Sequence, residues 1–343
     1  MNHKFRLGNA MRKVAIAGGL VICLSTLLRF LATEWWITEI LSSFAVQYAV
    51  LMTPLVLACC FWRNWKWAVL FLVVLCINGF IILDYLPFRQ THSPDFNSNQ
   101  EPPFRLMIQN VQVNNTAFDR LIDLVNEEQP TVILLLETNE NWIRALEQLH
   151  DDYPWHKHDP HQGAFGLSIL SKKPWNSCEI LHLGPHGLPT VLAKWGSQES
   201  QLTLVGVHPY PPISAAKTRS RNLQLIDSLL LLEGVSQQYE GTKIVAGDFN
   251  MTPWSPTFEK LLVDPYQAFG GYLLPNSLST ISMPFRDAAK DFNLDPTWQL
   301  FPTLLGGVKI DQVLIHSHED VLDYRVGPNV GSDHRAVFVD LAQ

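Results

Sequence analysis

Eight side chains beyond the first hundred residues carry groups suited to hydrolysis of an anionic ester: Asn110, Glu137, His208, Asp248, Asn250, Asp311, Asp333 and His334. Carboxylate oxygens suit a hard divalent cation, imidazoles hold or move protons near neutral pH, and amides donate to developing negative charge. Taken singly, most have plain structural readings. Glu137 reads as a solvated turn residue or helix cap, and Asn110 as an amide satisfying nearby backbone groups. His208 before Pro209 reads as a core or loop histidine, Gly247-Asp248-Phe249-Asn250 as an Asx turn, and Ser332-Asp333-His334 as a turn or helix start. Asp311, inside an apolar run, is harder to dismiss, because a buried carboxylate needs a partner. No nucleophilic serine or cysteine motif accompanies them, so no covalent intermediate is implied.

Every one of these residues ends or interrupts an apolar run. Asn110 lies in Met107–Val111, Glu137 closes Val132–Leu136, His208 closes Leu204–Val207, and Asp248 closes Ile244–Gly247. Strand-like runs are Arg105–Val113, Thr131–Leu136, Gly166–Ser171, Thr190–Trp195, Leu202–His208, Lys243–Gly247, Val308–His316 and Ala336–Leu341, rich in Val, Ile and Leu and bounded by Gly, Pro, Asn or Asp. Helical patterns fall at Phe118–Glu128 after a Thr116 cap, at Asn141–His150 and at Ser214–Tyr239. Many strands with helices in several gaps predict an α/β domain with sheet under helices. Adjacent strand ends then gather distant positions into one pocket.

Composition separates this region from what precedes it. The chain of 343 residues is 47% hydrophobic and 17% charged, which excludes a disordered chain. Residues 1–100 hold 8 basic and 4 acidic side chains, net +4, whereas 101–343 hold 17 and 28, net −11. An acidic domain argues against a non-specific grip on nucleic acid, which needs positive surface to release counterions. Cys178 is the only cysteine of the C-terminal region, which excludes an internal disulfide framework or a Cys-pair zinc site there.

The first region reads as membrane. Val14–Ala32 is apolar apart from Arg29, Ile40–Trp62 runs 23 residues without a charge, and Trp67–Leu83 runs 17. About 20 helical residues cross a hydrocarbon core of ~30 Å, so three spans are expected in residues 1–84. Lys4, Arg6, Arg12 and Lys13 before the first run, and Arg63 and Lys66 in the second loop, place those segments inside. The rest of the chain is then outside, with Arg29 snorkelling to headgroups. A removable signal peptide is the alternative reading of the first run, although no small-x-small cleavage site stands out, and even then the last two crossings leave the domain outside. Residues 85–103, with Pro87, Pro94, Pro102 and Pro103, read as a linker to a domain over 104–343.

The order Asn110, Glu137, His208, Gly247-Asp248-Phe249-Asn250, Ile310-Asp311, Gly331-Ser332-Asp333-His334, with Thr297-Trp298 ahead of the last strands, resembles the endonuclease/exonuclease/phosphatase superfamily across residues 104–343. With membrane spans in front, the chain looks most like its membrane-anchored bacterial branch linked to teicoplanin resistance. The resemblance implies a four-layer sandwich of two packed mixed sheets flanked by helices, preceded here by three transmembrane helices. It implies Mg²⁺, with Mn²⁺ as a substitute. Glu137 is then the main ligand, Asn110 lies beside it and Asp333 supports the metal region. Asp248 orients the attacking water, Asn250 donates to a phosphoryl oxygen, His334 faces the phosphate on Asp311, and His208 assists the phosphoryl or leaving oxygen. Gln109, Thr138 and Gln312 depart from residues common beside these positions, which bears on substrate rather than on chemistry.

These expectations describe a phosphohydrolase in the plasma membrane of a bacterium. It would be multi-pass, with an extracytoplasmic catalytic domain acting on a phosphate-containing, lipid-linked substrate. A phosphodiesterase or nuclease of the same superfamily is the rival enzyme, and a non-catalytic membrane scaffold the rival of another class. Lys217, Arg219 and Arg221 read first as a solvated helix face, and second as a rim for a further phosphate. Trp254, Phe285 and Trp298 read first as core, and second as a substrate wall.

Overall fold

In the run Phe104–Asn110, Leu106 and Ile108 face one core while Met107 faces another. Val132–Leu136 does the same, with Leu134 and Leu136 on the first side and Ile133 and Leu135 on the second. Strands buried on both faces need no polar alternation, and each buried Leu or Ile contributes about 1.5–3 kcal/mol.

The protein is described by a computed structural model over residues 2–33, 35–88, 103–196, 201–236, 241–263, 285–301, 304–316 and 321–342. Its helices are α1 (Asn2–Leu28), α2 (Trp36–Ser42), α3 (Ala45–Phe61), α4 (Trp65–Ile82), α5 (Phe118–Glu128), α6 (Glu140–Leu146), α7 (Ala215–Ser236) and α8 (Pro256–Val263). Its strands are β1 (Phe104–Asn110), β2 (Val132–Leu136), β3 (Trp155–Asp159), β4 (Leu167–Ser171), β5 (Ser177–Leu183), β6 (Leu188–Trp195), β7 (Gln201–Val207), β8 (Gly241–Asp248), β9 (Arg286–Asp287), β10 (Trp298–Gln299), β11 (Gly307–Val308), β12 (Asp311–His316), β13 (Val321–Val326) and β14 (Val337–Leu341).

Two six-stranded mixed sheets result, ordered β13-β14-β1-β2-β4-β3 and β5-β6-β7-β8-β12-β9, beside a two-stranded β10-β11 ribbon. Each large sheet has one parallel pair at its centre, β1 with β2 and β7 with β8. The sheets pack face to face through Ile108, Leu134 and Ile169 against Val191, Leu204 and Ala246. Gly206 sits in this interface, where a Cβ would come 2.7 Å from Leu134 Cδ1. α5 and α6 cover the outer face of the first sheet, and α7 and α8 that of the second, giving four layers.

Three local expectations shift. The α5 cap is Ala117, without a side-chain bond, not Thr116. α6 starts earlier, because Asn139 Oδ1 accepts from the N–H groups of Asn141 and Trp142. The Val308–His316 run is two strands, β11 and β12.

The N-terminal region departs further from expectation. Among the described residues, Gly8–Leu31 and Trp65–Tyr85 are long and apolar enough to cross a membrane. The middle run is a pair, α2 and α3, bent by 58°, and makes a third span only if both count as one. The bend has a tertiary cause. Glu39 of α2 bonds Arg221 at 2.6 Å, and Ser43 O accepts from Trp254 Nε1 at 2.7 Å, so α2 is drawn onto the domain. Ser42 Oγ also donates to Glu39 O. Arg29 does not snorkel: it donates to Trp254 O and, at 2.6 Å, to Glu259 Oε1. Lys290 bonds Asp84 at 3.0 Å, and Ala45, Val46, Ala49, Ile82 and Tyr85 share the inter-sheet core. The apolar helices and the sandwich therefore pack as one body. Of the proline-rich 85–103 segment, residues 89–102 lie outside the described residues.

Candidate functional site

The C-terminal ends of the two central parallel pairs meet at one edge of the sandwich. Asn110 ends β1 opposite Leu136, Glu137 follows β2, His208 follows β7, and Asp248 ends β8 opposite Asp311. Getting there requires unusual backbone. Gly247 has φ of +145°, and a Cβ there would lie 1.9 Å from Val207 O. Glu137 and Asn250 sit at φ of 63° and 50°, a left-handed region that costs a non-glycine residue and recurs at functional sites.

Asp248 is the hub. Its Oδ2 accepts from Asn110 Nδ2 at 3.3 Å, lies 3.4 Å from His208 Nε2 and 3.7 Å from His334 Nε2. Its Oδ1 accepts from the Asn250 N–H at 2.8 Å. Asn110 Nδ2 also donates to Glu137 Oε1 at 3.0 Å, while Val113 N–H donates to Glu137 Oε2 at 3.1 Å. His334 Nδ1 meets Asp311 Oδ2 at 2.9 Å. One ligand atom from each of Asp248, Asp311 and His334 falls within 4.8 Å of the others. Thus Asn110, Glu137, His208, Asp248, Asp311 and His334 form one network, and Asn250 joins it through its backbone. Asp333 adjoins it through the chain, its Oδ2 held by Trp298 Nε1 at 3.0 Å.

Burial sets the electrostatics. Asp248, Asp311, His208 and His334 are all buried. Desolvation works against His334 carrying a proton, but the charges of Asp311 and Asp248 outweigh it and push its pKa up to about 10. Desolvation likewise opposes protonation of His208, and its bond to Asp248 overcomes it and raises the pKa. Burial would raise Asp248, yet the two imidazoles hold it below the usual carboxylate range. Three carboxylates against two imidazoles leave net negative charge; the Glu137 oxygens accept from two neutral N–H donors, and His208 Nε2 lies 4.0 Å from Glu137 Oε1. An oxygen-rich pocket of that charge fits a hard divalent cation.

Several roles are altered by what the side chains touch. Asn250 Nδ2 donates to Pro209 O at 3.1 Å, leaving its second amide hydrogen for a ligand. Arg221 is neither solvated nor a phosphate rim: it is fully buried on Glu39, and its Nη1 donates to Asn250 O at 3.2 Å. Trp254 and Phe285 are buried core, whereas Trp298 reaches the site.

Supporting contacts of Ser332 and Thr297, residues the motifs contain, and an aromatic wall beside His208 went unread in the sequence. Ser332 Oγ donates to Asn110 O at 2.7 Å and accepts from the His334 N–H at 3.0 Å. Thr297 Oγ1 accepts from the N–H groups of Ile310 and Asp311, both at 3.0 Å. Beside His208 stands an aromatic wall of Phe165, 5.6 Å away, and Tyr210, with Lys217 over the Tyr210 ring. The Ser332 and Thr297 contacts follow motif neighbours and so had a signal, whereas the aromatic wall had none.

Solved structures share this architecture. A humanized D. rerio TDP2 is 15% identical at a TM-score of 0.53, covering 70% of this chain and 99% of its own. ANGEL2, a 2′,3′-cyclic phosphatase solved with adenosine-2′,3′-vanadate, is 13% identical at 0.54, covering 69% and 95%. A functionally unknown conserved protein from Enterococcus faecalis is 17% identical at 0.52, covering 69% and 99%. At such identities the likeness is one of fold. No curated protein matches the chain. The profile of the Endonuclease/Exonuclease/phosphatase family matches residues 107–334, from β1 to the histidine that faces Asp248, and the chain belongs to that family.

Proposed function

We propose that this protein is a Mg²⁺-dependent hydrolase of a phosphate ester or pyrophosphate, acting on a lipid-linked substrate at the outer face of a bacterial plasma membrane. The observation that carries the reading is the meeting of both sheets' strand ends at Asp248, where two imidazoles and the Asn110 amide converge on one carboxylate.

Glu137 would hold the ion, with Asn110 and Asp333 beside it, and Mn²⁺ would serve in its place. Bound there, such an ion supplies positive charge against the phosphoryl oxygens. Asp248, kept ionised by its imidazole neighbours, accepts a hydrogen bond from the attacking water and aims it. His334 is held as an imidazolium on Asp311 and donates from Nε2 to a phosphoryl oxygen. Asn250 donates its remaining amide hydrogen to the same group. His208, also favouring its charged form, protonates or stabilises the leaving oxygen.

The lipid-linked substrate is supported by the shared core: Ala45, Val46, Ile82 and Tyr85 tie the apolar helices directly to the sandwich. The net −11 of residues 101–343 weighs against nucleic acid. Lys4, Arg6, Arg12 and Lys13 support an inside N-terminus, and the outward domain follows if the bent α2–α3 pair counts as one crossing. Full-length protein in detergent, assayed with Mg²⁺ and with EDTA on a polyprenyl pyrophosphate, sphingomyelin, an inositol phosphate and plasmid DNA, tests the reading. Metal-dependent turnover of the first substrate is expected. Preference for DNA makes the protein a nuclease, and no turnover of any substrate favours a scaffold. A reporter fused after Gln343 should behave as extracytoplasmic.

A further inference from the structure

We propose that His150, His156 and His158 form a binding site for a borderline divalent transition metal such as Zn²⁺, separate from the catalytic cleft. The site arises from strand periodicity. β3 is the edge strand of the first sheet, and residues two apart on it share a face, so His156 and His158 project together. His150 follows the short 3₁₀ turn Glu147–Leu149 after α6 and meets them. These elements carry none of the eight cleft residues.

The three rings lie nearly parallel. His150 and His156 are 3.7 Å apart between centroids with 11° between planes, His156 and His158 5.4 Å, and His150 and His158 6.0 Å. One ring nitrogen from each falls within 4.8 Å of the other two. Both nitrogens of His158 and Nε2 of His150 are buried without a hydrogen-bond partner. Buried polar atoms are nearly always paired, so orphans clustered on three imidazoles point to an absent ligand that accepts lone pairs. His156 Nδ1 lies 3.3 Å from Tyr153 O. Donation there leaves the Nε2 lone pair as the ligand atom, the usual arrangement for a metal-binding histidine.

Imidazole nitrogens suit Zn²⁺, Ni²⁺ and Cu²⁺, whereas Mg²⁺ prefers the oxygen-rich cleft. Tetrahedral Zn–N bonds of about 2.0–2.1 Å put donors roughly 3.4 Å apart. Ring rotation must therefore draw the nitrogens inward by about an ångström, and a fourth position stays open to water. A bound ion would clip the end of α6 to the sheet edge.

The test uses the full chain in detergent with excess Mg²⁺ present. Calorimetric titration with Zn²⁺ should give one equivalent, and Co²⁺ should give the visible absorption bands of a tetrahedral nitrogen site. Zn²⁺ should raise the melting temperature. Each of His156→Ala and His158→Ala should weaken Zn²⁺ by at least about tenfold and abolish the thermal shift, while Glu137→Gln should leave both intact. Absence of saturable uptake, uptake unchanged in both histidine variants, or loss of uptake in Glu137→Gln would each overturn the proposal. If one histidine variant fails to fold, the other variant and the Co²⁺ spectrum of the unaltered chain decide it.

Discussion

Glu39 Oε1 lies 2.6 Å from Arg221 Nη2, with the two side chains 3% and 0% exposed. The pair joins α2 of the apolar N-terminal region to α7 of the sandwich. Arg221 also donates to Asn250 O, so a charge beside the apolar N-terminal helices holds the backbone of a candidate catalytic residue. Removing one partner leaves the other's charge unpaired, with only the neutral acceptors Asn222 Oδ1 and Asn250 O remaining to Arg221, which costs about 3–5 kcal/mol. Glu39→Gln and Arg221→Met should each lower unfolding stability by that order in denaturant titration. The double variant should lose less than the sum of the two. Strict additivity would mean that the pair is not coupled.

Glu137→Gln keeps the shape and one oxygen but removes the charge. The bonds from Asn110 Nδ2 and Val113 N–H compete for what remains. We expect metal-dependent turnover to be abolished while the circular dichroism spectrum and melting temperature stay close to those of the parent chain. A variant that still responds to Mg²⁺ would remove Glu137 from the ligand role.

The central strands and most of the cleft were legible because they obey local rules. β2 is an unbroken Val, Ile and Leu run, β1, β7 and β8 are buried over most of their length with largely apolar centres, and the polar residues ending them stand out against that background. β3, with His156, Lys157 and His158, is a half-exposed edge whose polar composition hides it. β5 and β13 are half-exposed in the same way. Arg221 reads as solvent-facing because its partner lies 182 positions away. The α2–α3 bend is equally invisible, since it falls in an uncharged run and is imposed by contacts with Arg221 and Trp254.

Lys309 gives a pH signature. It is fully buried, with Nζ 3.0 Å from Asn293 Oδ1 and 4.3 Å from the Tyr324 ring centroid. Desolvation dominates over the nearby Asp287, Asp295 and Asp311 charges and brings its pKa down to about 8. An ordinary lysine titrates near 10.4, so between pH 8 and that value the unfolded chain binds more protons than the folded one. Stability from this residue therefore rises with pH across that window, by on the order of 3 kcal/mol. Urea midpoints measured from pH 7 to 10 should climb more in the parent chain than in Lys309→Met. Parallel curves would show that Lys309 is not the source.

Gly247 separates architecture from chemistry in the Gly247-Asp248-Phe249-Asn250 motif. Its φ of +145° is closed to L side chains, and an added Cβ would lie 1.9 Å from Val207 O and 3.0 Å from Val207 C. These are backbone atoms of β7, whose residue Val207 pairs with Gly247 in the parallel register. Relief thus requires parting the β7–β8 pair that brings His208 to Asp248. Gly247→Ala should cost about 3 kcal/mol or more and lower turnover by displacing both residues, although glycine touches no substrate. Asp248→Asn makes the informative contrast: it removes the charge that supports both imidazoles, so it should lose activity and stability while the β7–β8 strand pairing and the circular dichroism spectrum are kept. If Gly247→Ala instead melts like the parent chain and turns over normally, the strand register at the heart of the cleft is wrong.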